Sequence, residues 1–144
     1  MLIENPNDSI AKAKLRGPLY IWIGFVLVSA YFTWEAFDIT GTRFQLDFPK
    51  FDASNPTMLP LTISAIFNLI LAWLLPEFLL RRNRSLSSQF IAFVIRMGLI
   101  GSVVMYGLVC ANTGHDGHIV LPFSIFAFLG FIRSFPREKT FRFD

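Results

Sequence analysis

A chain of 144 residues that is 53% hydrophobic and only 16% charged is too apolar for an ordinary soluble domain, where about a quarter of residues are charged. Its net charge of +3 is not gathered on a soluble basic face with stacking aromatics, which sets nucleic-acid binding aside. The single cysteine, Cys110, excludes an intrachain disulfide and a cysteine-based zinc site; within an apolar stretch it reads as a buried, unreactive thiol.

The mean hydropathy of +0.52 comes from long apolar blocks separated by short charged clusters, not from the narrow stripes of a soluble bundle. The architecture expected is all-α: a polytopic membrane protein built as a bundle of four transmembrane helices. Residues 1–16 form a polar, cytoplasmic N-terminal segment ending in Lys12, Lys14 and Arg16. The 18 residues from Gly17 to Trp34 carry no charge and as helix rise about 27 Å, close to the ~30 Å hydrocarbon core. A basic segment before an apolar one, with Val28-Ser29-Ala30 as a cleavage sequence, raises a signal peptide. The aromatic richness of the block and the three blocks that follow favour an uncleaved helix, spanning about 17–38.

The second block, Ala53 to Pro76, is uncharged for 24 residues, long enough to span with some tilt, at about 56–80. Pro60 suits its opening turn, whereas Pro76 should kink or loosen the far end. The third, at about 88–111, is interrupted by one charge, Arg96. The fourth is the weakest: Gly117 to Ile132 gives only 16 uncharged residues and contains Pro122. It fits a short span or a re-entrant segment over 117–133, with residues 134–144 as a cytoplasmic tail.

Charge placement sets the orientation. With the N-terminus inside, the inner segments carry Lys12, Lys14, Arg16, Arg81, Arg82, Arg84, Arg133, Arg137, Lys139 and Arg142, against Arg43 and Lys50 outside. That bias obeys the positive-inside rule and would be lost if the fourth block failed to cross, so an even number of spans with both ends inside is expected. Tyr20 and Trp22, Tyr31 and Trp34, Trp73 and Tyr106 fall near span ends, where amphipathic rings prefer to lie. The outer loop Arg43-Phe44-Gln45-Leu46-Asp47-Phe48 alternates polar and apolar residues, the period of an extended strand with one buried face. It reads as a loop against the membrane interface or as a docking edge for a partner.

Few residues invite chemistry. Arg96 is costly within a span and should face protein, a water-filled cavity or, by snorkelling, the headgroups. At 100° per residue it shares a stripe with Gln89, Gly107 and Cys110, polar at one end and small at the other, which suits close helix packing. On the second span Ser64 and Asn68 share a face, and the Asn68 amide needs a hydrogen-bonding partner on a neighbouring helix. Glu77 precedes Arg81 by four residues, the favourable order for an intrahelical ion pair. Glu35 and Asp38 read as solvated charge at an aqueous interface. His115-Asp116-Gly117-His118 contains competent metal ligands, but its spacing is no recognised zinc pattern, and Gly117 is expected to make the turn. With no Gly-rich phosphate loop, nucleophile elbow or His-Glu-x-x-His, no catalytic residue, cofactor or metal is expected. The candidate site is instead a helix–helix or partner interface of Arg96, Gln89, Asn68, Ser64 and Gly107.

The layout resembles the small four-helix membrane subunit of tripartite tricarboxylate transporters. The likeness rests on Trp34-Glu35-Ala36-Phe37 before an outer loop, the proline-flanked approach Asn55-Pro56-Thr57-Met58-Leu59-Pro60, and the basic run Arg81-Arg82-Asn83-Arg84. Tyr106, the Gly114 turn and the final Gly130-Phe131-Ile132-Arg133 complete it, over about residues 18–133. The outer loop is rather long for that family, and the His115 to His118 segment replaces its Gly-Phe turn. The resemblance implies a bacterial inner-membrane accessory subunit of an ion-coupled carboxylate importer. Its partners would be a large polytopic membrane subunit and a periplasmic solute-binding protein. Two other readings fit the bare sequence: a stand-alone interaction protein, such as an immunity protein against a pore-forming toxin, and a small homo-oligomeric channel lined by Arg96 and Asn68.

Overall fold

The computed structural model describes residues 6–47, 49, 54–83 and 85–137, with residues 6–13 as helix backbone only. They form four helices: α1 (Pro6–Thr40), α2 (Met58–Arg82), α3 (Leu86–Gly114) and α4 (Val120–Arg133), the last preceded by a single 3-10 turn over Gly117–Ile119. No strand occurs among the described residues. Three stretches, Lys14–Thr40, Met58–Arg82 and Leu86–Gly114, are long and apolar enough to cross a membrane. The described residues are thus all-α, with three helices that suit a multi-pass membrane protein. α4 is shorter, at 14 residues, or about 21 Å of rise.

Local chemistry explains most of the boundaries. α1 begins at Pro6, well before the first apolar block, because proline's fixed φ suits a first helical position and the following Ala and Lys residues favour helix. It stops at Gly41, whose φ of 65° is the left-handed conformation glycine adopts without a Cβ penalty. The Gly41 N–H then donates to Asp38 O and the Thr42 N–H to Phe37 O, both at 3.1 Å, the Schellman pattern that satisfies terminal carbonyls. Ser85 caps α3, its hydroxyl accepting from the Ser88 N–H at 3.2 Å. At the other end of α3 the left-handed residue is His115, at φ 53°, and not Gly117 as the sequence suggested. Gly117 is required for space: a Cβ there would lie 2.9 Å from both the Phe37 ring and the Thr40 hydroxyl.

The outer-loop alternation produces no buried face. Residues 43–47 are all exposed and lie outside any regular element, while Phe48 falls outside the described residues. Phe44 still reaches back to Phe37, with ring centroids 5.0 Å apart.

α3 is the hub, packing against α1, α2 and α4; α1 also packs on α4, whereas α2 leans on α3 and on little else. Burial is greatest in α3, at 39% of its most apolar window, against 17% for α2 and 11% for α1. Met97, Ile100, Val103, Val104, Cys110 and Ala111 form the centre of the core.

Candidate functional site: the α2–α3–α4 junction

Lipid tails are as apolar as leucine, so burying apolar surface does not hold helices together in a bilayer; close packing and interhelical hydrogen bonds do. Both are present around α3, on different sides.

On the α2 side the polar residues make the contact. A helical carbonyl normally accepts from the N–H four residues on, but Pro76 has no N–H, so the carbonyl of Ala72 loses its partner inside α2. The Arg96 side chain of α3 replaces it, its Nε–H donating to Ala72 O at 3.0 Å. Arg96 therefore completes the backbone of a neighbouring helix. Its guanidinium carbon also lies 4.8 Å from the centroid of the Trp73 ring, and that of Arg133, at the end of α4, lies at the same distance. Arg96, Trp73 and Arg133 thus gather α3, α2 and α4 at one end of the bundle. About one turn away along α2, the Asn68 amide donates to the Ser102 hydroxyl at 2.7 Å and to the Tyr106 hydroxyl at 3.1 Å, both on α3. Ser102 in turn donates to Leu99 O at 2.7 Å.

On the α4 side the contact is made by space. A Cβ at Gly107 would sit 2.7 Å from Phe123 Cβ, and one at Gly130 would sit 3.1 Å from the Ile100 side chain. The two glycines let α3 and α4 approach until a ring on one helix rests on the backbone of the other. α1 is fastened by hydrogen bonds: Trp22 Nε1 donates to Phe131 O at 2.8 Å, and the Thr33 and Ser124 hydroxyls pair at 2.7 Å.

The candidates named from sequence therefore divide. Arg96 and Asn68 join α2 to α3, and Gly107 joins α3 to α4, so the stripe they were placed on serves two neighbours. Ser64 does not join its face-mate: its hydroxyl donates to Pro60 O of its own helix at 2.9 Å. Gln89 is partly buried in the opening turns of α3, where its N–H donates to Ser85 O. Cys110 is buried and free. Glu77 and Arg81 are both exposed and are not in ion-pair contact; in water such a pair gains too little to hold two long side chains in register. Glu77 acts on the Arg96 charge instead.

The His115 to His118 turn is tied locally. Asp116 Oδ1 accepts from the His118 N–H at 3.0 Å and contacts His118 Nδ1 at 2.9 Å, and the His118 ring meets the edge of Phe37 at 5.4 Å. His115 is exposed, and no group of three metal-ligating side chains occurs among the described residues.

Trp73, Pro76, Ser102, Phe123 and Arg133 complete the junction but do not stand out by residue type. One of them was findable: a proline inside an apolar helix frees the carbonyl four residues earlier, so Pro76 marks Ala72 as needing a donor from elsewhere.

Between α2 and α4, which scarcely touch, a groove of about 680 Å³ opens over Val103 of α3. Ile66 and Phe126 form its walls, Trp73 and Arg133 stand at one end and Pro49 at the other. No family model, curated protein or solved structure matches the chain.

Proposed function

We propose that this chain is a non-catalytic, stabilising small membrane subunit of a larger assembly, namely an ion-coupled carboxylate importer of a bacterial inner membrane. The observation that carries the non-catalytic part is the fate of the polar side chains at membrane depth. Asn68, Arg96, Thr33 and Ser124 all bond to a neighbouring helix, which spends them on holding the bundle together. A conduit needs polar groups facing a path, so this use of Asn68 and Arg96 favours a scaffold over a small channel. The importer itself rests on the resemblance of residues 18–133 to the small subunit of tripartite tricarboxylate transporters.

In this reading all four helices cross and both ends face the cytoplasm. The 3-10 turn and α4 together rise about 27 Å, close to the hydrocarbon thickness, and a fourth crossing keeps Arg133 and Arg137 on the side of Arg81 and Arg82. Phe44 and Leu46, 56% and 79% exposed in the loop after α1, offer an apolar contact to a partner on the opposite side.

Purification of the full chain from its native membrane in mild detergent tests the proposal. Co-purification with a larger many-span protein, and loss of that protein from membranes lacking this chain, is the expected result. Recovery of the chain alone or as a pure homo-oligomer, with the abundance of other membrane proteins unchanged, would overturn it.

A further inference from the structure

We infer that the groove between α2 and α4 is a binding site for an anionic glycerophospholipid, with one acyl chain along the groove and the phosphate at Arg96 and Arg133. The inference stands on the membrane-spanning fold and does not depend on the transporter assignment.

Three observations converge. The first is charge. Arg96 and Arg133 lie against one Trp73 ring, and neither guanidinium is in ion-pair contact with a carboxylate among the described residues. Among the described residues only the Nε–H of Arg96 is taken, by Ala72 O, so within that set the terminal N–H groups of both side chains can meet an acceptor. The carboxylate that acts on Arg96, Glu77, is exposed and out of ion-pair contact, and forked N–H donors match phosphate oxygens well. Basic pockets between helices at the membrane surface bind acidic headgroups for this reason.

The second is shape. The groove runs from Trp73 to Met58 along α2, about 22 Å by helical rise. One leaflet is about 15 Å deep, so a chain anchored at the arginine end lies along the Trp73 part of the groove. The third is the lining, which suits an acyl chain. The walls are apolar: Ile66, Val103 and Phe126 offer no hydrogen bond, and Pro49 also lines the groove.

The test uses the full chain in phosphatidylcholine nanodiscs doped with lipid brominated on the acyl chain, either phosphatidylglycerol or phosphatidylcholine. Bromine quenches tryptophan on contact, and the Trp73 contribution is the difference between the wild type and Trp73→Phe. Half-quenching of Trp73 by phosphatidylglycerol is expected at about fivefold lower mole fraction than by phosphatidylcholine. Arg133→Gln, at an exposed position, should bring the two curves together, while Arg133→Lys should keep most of the difference. Equal quenching by both lipids in the wild type would overturn the inference without recourse to any charge variant. So would a Trp73 that neither lipid reaches, which would place a second copy or another protein in the groove. A preference that survives in folded Arg133→Gln would also overturn it.

Discussion

The two contacts that α3 makes with its partners, α2 on one side and α4 on the other, hold by opposite means. Toward α2 the chain uses direction: an amide, a guanidinium and two hydroxyls aimed at particular atoms. Toward α4 it uses proximity: glycines that admit a phenyl ring and an isoleucine to the helix backbone. Hydrogen bonds between membrane helices are modest individually because the separated helices find other partners. Close packing tolerates almost no added volume. The α4 contact should therefore be the more brittle of the two, and the α2 contact the more forgiving.

The largest expected effect is at Gly107. Gly107→Ala puts a methyl against Phe123 Cβ, an atom fixed to its own backbone that cannot rotate away, and should cost about 3 kcal/mol, the upper end for overpacking. Unfolding by sodium dodecyl sulfate in mixed micelles measures it, and Phe123→Ala in the same chain should recover a substantial part. No loss at Gly107→Ala would mean that α3 and α4 are further apart than described. Next comes Arg96→Leu, expected to cost about 2 kcal/mol through the orphaned Ala72 carbonyl. Pro76→Ala supplies the missing N–H, so in that background the cost should fall below about 1 kcal/mol. An undiminished cost would show that Arg96 acts otherwise than through the proline-freed carbonyl. The smallest pair sharpens the directional side: Asn68→Leu should cost about 1 kcal/mol, whereas Ser64→Ala one turn away should stay within about 0.5 kcal/mol. Equal costs at the two positions would remove the distinction between a bond across helices and a bond within one.

The same contrast explains how much could be read from the sequence. The membrane class, the all-α architecture and three spanning helices are written in block length and charge placement, which depend only on the thickness and polarity of the bilayer. Arg96, Asn68 and Gly107 were legible as interface residues because their types are costly or small within a span. Their partners were not. Periodicity puts Arg96 and Gly107 on one stripe, but the helix each faces depends on where α2 and α4 settle around α3. Ser64 shares a face with Asn68, yet its short hydroxyl turns back to Pro60 O of its own helix. Gly117 looked like a turn residue and is a spacing residue, since the left-handed conformation passed to His115, a residue type enriched there. The groove was invisible, because no sequence pattern reports that two helices fail to touch.

The bond from Arg96 to Ala72 also bears on how the chain enters the bilayer. An arginine within the apolar stretch of a lone helix raises its insertion cost by up to about 2.5–3.5 kcal/mol, and a helix with an unpaired carbonyl carries its own penalty. α2 and α3 are joined by only Asn83 to Ser85 and run in opposite directions, so these two costs can cancel as soon as both helices are present. α2 and α3 are thus each complete only as a hairpin, whereas α1 and α4 are tied to each other through Trp22 and Phe131 and through Thr33 and Ser124.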